Sequence, residues 1–318
     1  MLRLLLLLIS SLYLWADAHI LVYHRFADPR YPSTNTSLQE LEKEFRYLKE
    51  HGYEVIPLAR LVQAIKNEEP IQDHWVVITI DDGFKSFLKA LPLFQKYGYP
   101  FTIFVSTEPT SKGYPDFLTW KQLKKLTKTG EIAFHSHTHP HLTDQSDEAI
   151  REDTKIGIDL FMRHLGFAPR FYAYPYGEYD ERVKKIIKSF GFDGIVKQDR
   201  GAVAGFTDPY ELPRIAMVGR SDLEKALGVE ALRVEWIEPT TYPKDGILRR
   251  VKARIDPSYT NARLYVSGHG WRRVEVKNGL IDEKLDYKLD KKRVRVIIKV
   301  KNSKIDTKLL VRSRHGAK

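Results

Sequence analysis

The 318-residue chain contains no cysteine. That excludes disulfides, thiolate metal sites and a lipid-modified cysteine. Methionine is scarce too, at three residues, beside abundant Lys and Glu, a composition that fits a heat-adapted protein. Long apolar runs are missing beyond the start of the chain, so no later segment reaches bilayer-spanning length. The start itself, MLRLLLLLISSLYLWADAH, has a short basic region at Arg3, an apolar run from Leu4 to Trp15 and an A-x-A site at Ala16-Asp17-Ala18. This order predicts a signal peptide over residues 1–18, cut after Ala18, with an uncleaved anchor as the other option. An exported protein without disulfides relies on its core, which suits a bacterial envelope, periplasmic or extracellular.

Acidic residues run short in one region. Residues 231–318 hold 23 Lys and Arg against 10 Asp and Glu, a net of +13, while the first 230 residues carry −2. Such a basic region suggests an anionic envelope neighbour, a lipid or wall-polymer surface, and export makes nucleic acid an unexpected partner. Hydrophobic patterning divides the chain at the same place. From His19 to about residue 230, apolar strand-like runs alternate with amphipathic helical stretches. The strand-like runs are 19–26, 75–80, 101–107, 131–137, 171–177, 193–198 and 213–218, and the capping box Ser37-Leu38-Gln39-Glu40 opens a helix that stops at Gly52. Repeated β-α units of this kind predict a parallel α/β domain, a distorted (β/α)7-type barrel over 19–230. Beyond Pro239 the helical period disappears. Short alternating runs between Gly, Asn and Asp turns predict a small all-β, sandwich-like accessory domain over 231–318.

Reactive groups of a parallel β/α fold sit at the C-terminal ends of its strands. Three polar clusters fall there: Asp81-Asp82-Gly83, His135-Ser136-His137-Thr138-His139 and Pro175-Tyr176-Gly177. In FHSHTHPHL (134–142) four histidines stand two apart. A strand would aim all four to one face, whereas a chain that leaves its strand and coils brings His135 and His139 together. Two adjacent carboxylates repel unless a cation or a shared proton relieves them. Two imidazoles with one of the two aspartates would make a three-ligand metal site with open positions, leaving the other carboxylate free to take a proton from water.

TIDDG (79–83) and HSHTH (135–139) resemble the first two motifs of the polysaccharide deacetylases, the NodB-homology group or carbohydrate esterase family 4. The resemblance runs over about residues 19–220. It implies hydrolysis of N-acetyl groups on an N-acetylglucosamine polymer. It also implies one divalent ion, zinc by default with cobalt, nickel or iron fitting the same ligands, held by Asp82, His135 and His139. Asp81 would be the general base, and Tyr176 would lie where a backbone N–H helps hold the oxyanion. His137 fills a variable position and His141 follows Pro140, so neither takes a ligand role. The chain departs from the pattern twice. The third motif lacks its Arg, for which Arg214 in ELPR is the candidate replacement. A late L-x-H motif, source of the general acid, is absent. Instead the first strand ends in Leu21-Val22-Tyr23-His24, similar to the subgroup of poly-β-1,6-N-acetylglucosamine deacetylases in which this function moves to the N-terminus, which gives His24 the acid role.

Tyr23, Tyr174, Tyr176 and Tyr179 could offer flat faces to sugar rings. Two other readings are open: a non-catalytic exported carbohydrate-binding protein on a deacetylase scaffold, and a copper site built on His19 as the first residue after cleavage.

Overall fold

The computed structural model describes residues 17–219 and 221–313, so most of the expected signal peptide lies outside the described residues. Seven parallel strands form the frame of the first domain, in the order Ile215–Ala216, His19–Tyr23, Trp75–Ile80, Thr102–Val105, Glu131–Phe134, Phe171–Ala173 and Gly194–Val196. A short eighth strand, Glu54–Val55, adds to Trp75–Ile80. Residues 209–216 close the ring. Their first half bonds to Gly194–Val196 through Ile195 N–H to Pro209 O (2.8 Å) and Leu212 N–H to Ile195 O (3.0 Å). Their second half pairs with His19–Tyr23. The barrel is therefore distorted, closed by a bent segment rather than by a full ladder.

The strands are shorter than their apolar runs because the polar residues at their ends leave the sheet. Residues 19–26, expected as one strand, break at His24, and Arg25–Phe26 pairs instead with Asn35–Thr36. Within each strand the period-two alternation sorts side chains between barrel interior and helix layer. Ile20, Val77, Phe104, Ala133, Phe171, Ala173 and Val196 face inward, where the helix Leu58–Lys66 plugs the barrel with Leu61 and Val62. Leu21, Ile78, Ile103 and Phe134 face the surrounding helices, against Phe45, Phe94 and Phe161. One helix packs close enough to require glycine. A Cβ on Gly157 of Asp147–Leu165 would lie 2.1 Å from the Phe134 ring.

The helix Leu38–Glu50 starts at the expected capping box. Its Glu44 accepts a hydrogen bond from the buried Tyr23 hydroxyl at 2.8 Å. Burial pushes the Glu44 carboxyl up to about 7, above its ordinary 4.5. The folded state then holds a proton that the unfolded chain releases, so stability falls as pH rises from about 4.5 to about 7. Glu44→Gln, which keeps an acceptor for Tyr23, is expected to flatten that slope. The check is the unfolding midpoint at pH 5 and pH 7.5; an unchanged slope in the variant would rule Glu44 out as its source.

The C-terminal domain is a sandwich of two sheets over one apolar core that includes Leu248, Val251, Leu264, Val296 and Ile298. One sheet runs Glu230–Ala231, Lys304–Val311, Arg293–Val300, Asn261–Val266 and Gly270–Glu275. The other runs Glu235–Glu238, Ile247–Arg254 and Leu280–Lys288. Three of these strands, Glu230–Ala231, Glu235–Glu238 and Leu280–Lys288, lie outside the alternating runs of the sequence at 246–255, 262–270, 272–279, 292–300 and 307–313. Along Arg293–Val300 the even residues enter the sandwich core, and the odd ones face outward. Part of that outer face docks on the barrel: Ile297 and Ile305 join the barrel's own apolar cluster, and Thr307 Oγ1 donates to Arg200 O at 2.9 Å. No helix among the described residues is long and apolar enough to cross a membrane.

At the described N-terminus, Ala18 is fully buried and exchanges two 2.8 Å backbone hydrogen bonds with Val203. The Asp17 carboxylate accepts from Ala231 N–H at 3.1 Å. His19, the residue of the copper reading, lies inside the first strand with its ring bonded to Val229 O at 2.8 Å.

Candidate metal centre and active site

Strand parity aims three side chains at one mouth of the barrel. Ile20, Val22 and His24 share a face; so do Val77, Thr79 and Asp81, and so do Ala133 and His135. Asp82 has the wrong parity. It reaches the same place because its backbone turns left-handed, at φ 70°. Ser136 (φ 66°), His139 (φ 55°) and Tyr176 (φ 59°) do likewise. Such conformations cost non-glycine residues energy and persist where the surroundings hold them, commonly at functional sites.

Among the described residues, one group of His, Asp and Glu gathers closely enough to hold a metal: Asp82, His135 and His139. Asp82 Oδ1 lies 3.4 Å from Nε2 of each histidine, and the two Nε2 atoms are 3.1 Å apart. Ligands about 2.1 Å from a tetrahedral ion stand about 3.4 Å from one another, so the donor set fits a small divalent cation. His135 Nδ1–H donates to Ala173 O at 2.8 Å, which turns its Nε2 inward as a metal ligand needs. The electrostatics suit a cation too. Burial would push the Asp82 carboxyl up, but His135 beside it outweighs burial and holds it far below the usual range. Burial, reinforced by the charge of His135, brings His139 down to about 4.

Asp81 is buried and gripped by Arg214. Nη1 donates to Oδ1 at 2.6 Å and Nη2 to Oδ2 at 2.7 Å, while Nε donates to Lys197 O at 2.9 Å. Burial would raise the Asp81 carboxyl; Arg214 and then His135 overcome it and keep it below its ordinary value. His24 is close enough for its charge to act on both aspartates. Its Nδ1 is buried and finds no hydrogen-bond partner among the described residues.

The four spaced histidines thus separate. The strand ends at Phe134, and the chain coils so that His135 and His139 converge. His137 bonds through Nδ1 to Thr107 Oγ1 at 2.8 Å, and His141 Nδ1 donates to Glu178 at 2.8 Å. Of the four tyrosines considered for sugar stacking, Tyr23, Tyr174 and Tyr179 are buried in the core, and Tyr176 is 37% exposed. Sequence reasoning missed two supports. Asp153 accepts from His137 N–H (2.8 Å), Thr138 N–H (2.9 Å) and the Thr138 hydroxyl (2.7 Å), which fixes the histidine loop. An Asp on the apolar face of its helix, in line with Ile150 and Gly157, was the available signal. Glu178, 1% exposed one residue after the third motif, had no such signal.

A β/α barrel with a two-histidine, one-aspartate cluster at its mouth, and a second aspartate held apart by arginine, is a scaffold for hydrolytic chemistry. Residues 68–195 match the family model described as polysaccharide deacetylase. It is 22% identical over 244 residues to the poly-beta-1,6-N-acetyl-D-glucosamine N-deacetylase of Escherichia coli K12, covering 63% of this chain and 36% of that protein. It is 28% identical over 193 residues to the enzyme of the same name from Staphylococcus epidermidis, covering 56% of this chain and 66% of that protein. The chain therefore spans about a third of the first relative's length. A Streptococcus pyogenes deacetylase solved with acetate shares the fold, with a TM-score of 0.62 and 22% identity over 66% of this chain and 96% of that one.

Proposed function

We propose that the protein removes N-acetyl groups from an N-acetylglucosamine polysaccharide of the cell envelope, releasing acetate. The observation that carries this reading is the division of labour between adjacent aspartates: Asp82 joins the two histidines, and Asp81 is kept out of the cluster by Arg214. A divalent ion bound by Asp82, His135 and His139, zinc by default, would supply Lewis acidity at the acetyl carbonyl. Asp81 takes a proton from the attacking water, whose oxygen adds to the amide carbon. The Tyr176 N–H steadies the oxygen that gains charge. His24 gives a proton to the nitrogen as the C–N bond breaks, which leaves acetate and a free amine. Tyr176, 37% exposed, offers a flat surface for a sugar chain.

Export to the envelope is part of this reading. Cleavage after Ala18 would sever the Ala18–Val203 and Asp17–Ala231 bonds. A cut upstream of Asp17, or a retained anchor, would keep those bonds.

The test is acetate release from a panel of N-acetylated glycans, with metal measured per chain. His139→Ala is expected to lose both metal and activity while the fold persists, because one donor of three is gone and its side chain is a quarter exposed. Full metal occupancy in that variant would sink the ligand assignment, and no acetate from any glycan at full occupancy would sink the activity.

A further inference from the structure

The third-motif loop is gripped by the C-terminal domain. Pro175, Tyr176 and Gly177 turn tightly, with both Tyr176 (φ 59°) and Gly177 (φ 67°) left-handed. A Cβ on Gly177 would lie 2.6 Å from Gln198 Cβ, so the loop has no room on that side. On the other side stands Arg293, first residue of Arg293–Val300. Its Nη1 donates to Tyr176 O at 3.0 Å, and its Nε lies 3.6 Å from the Glu178 carboxylate. Lys292 places its ammonium 2.7 Å from Asp144 and 3.5 Å from Glu178. Glu178 also receives His141, whose ring stacks on Tyr176 at 4.2 Å and 17°. Three parts of the molecule therefore meet at one buried carboxylate: the end of the histidine loop, the third-motif loop and the accessory domain.

We infer that Arg293 is a positioning residue for the catalytic loop, and that the C-terminal domain completes the active site through it. The inference rests on the deacetylase reading, in which the Tyr176 N–H serves the oxyanion. A left-handed tyrosine needs outside support to stay in place. Arg293 supplies it at the carbonyl of that same residue, and Glu178 fixes the guanidinium from behind. Docking alone does not require this contact, since Ile297, Ile305 and Thr307 already hold the two domains together. Oxyanion donors act through alignment, and loss of a donor outright costs about 10²–10³ in rate. Misalignment by a freed loop should cost less, about tenfold in kcat.

The experiment compares wild type, Arg293→Ala and Arg293→Lys in the full chain. Metal content, kcat, KM, the unfolding midpoint and amide hydrogen exchange of the peptide spanning residues 174–179 are measured for each. Arg293→Ala is expected to lower kcat about tenfold with KM within about twofold, and to speed exchange in that peptide about tenfold, with metal content and midpoint unchanged. Arg293→Lys keeps a cation at Glu178 and one donor for Tyr176 O, and should recover kcat to within about threefold of wild type. Unchanged exchange in Arg293→Ala overturns the inference whatever the rate does. Faster exchange with unchanged kcat also overturns it, because the order of the loop would then not matter to the reaction. If wild type with full metal releases no acetate from any glycan, the deacetylase reading fails on its own, and exchange alone decides whether Arg293 holds the loop.

Discussion

Asp81→Asn is expected to retain the metal, lose at least about 10² in turnover and lower stability at the same time. The metal should stay because the proposed donors, Asp82, His135 and His139, are untouched. The rate falls because an amide cannot take a proton from water. The stability cost comes from the other end of the pair. Arg214 is fully buried, and its two terminal nitrogens both donate to Asp81. With asparagine there, residue 81 offers the guanidinium one acceptor instead of two and no counter-charge; breaking a buried pair in this way costs about 3–5 kcal/mol. Adding Arg214→Met removes the stranded charge, so the double variant should regain much of the lost stability and none of the rate. Denaturant unfolding, metal content and acetate release read the three effects separately. Turnover of Asp81→Asn within about threefold of wild type would remove Asp81 from the chemistry, since a lost general base costs far more.

That pair also marks how far the sequence could be read. Asp81 and Asp82 were legible as unlike partners because two carboxylates side by side need relief, and because a continuous apolar run led straight to them. Arg214 was a weaker inference: its distance of 133 residues from Asp81 carries no local signal, and only the bend of 209–216 back to the first strand brings the two together. The histidine spacing was legible to a choice between strand and coil. The left-handed turns at Ser136 and His139 decide that choice, and they depend on Asp153 from a distant helix. In the C-terminal domain the missed strand Leu280–Lys288 is an edge strand. Five of its nine residues are charged, Asp282, Glu283 and Lys284 in a row, which discourages an edge from pairing with other chains and masked the strand pattern.

The basic C-terminal region reads differently once folded. Its charge suggested an anionic envelope surface. Part of that charge is spent inside the molecule, where Lys292 meets Asp144 and Glu178, and Arg295 lies 3.4 Å from the buried Asp199. The barrel domain, slightly acidic overall, is thus one anionic neighbour that the basic strand has found.

On the deacetylase reading, His24→Ala is expected to affect N-deacetylation and the hydrolysis of an activated acetyl ester unequally. An amine leaves poorly unless its nitrogen is protonated, whereas a phenolate leaves an activated acetyl ester unaided. Removing the acid should therefore slow N-deacetylation about 10²-fold more than ester hydrolysis. The structure supplies the reasons to look at His24. It shares the inward face of its strand with Ile20, the sheet sets that strand beside Trp75–Ile80, and Asp81 N–H bonds to Tyr23 O at 2.9 Å. The chain leaves the sheet at His24, close enough to Asp81 and Asp82 for its charge to act on both. Its buried Nδ1 is unpaired among the described residues, unlike Nδ1 of His135, His137 and His141, each of which has a partner. Metal content and the unfolding midpoint should stay at wild-type values, since His24 belongs to neither the ligand set nor the apolar clusters. The measurement is the ratio of rates on an N-acetylated glucosamine oligomer and on p-nitrophenyl acetate. Equal losses on both substrates would make His24 an orienting residue and leave the proton donor to another group.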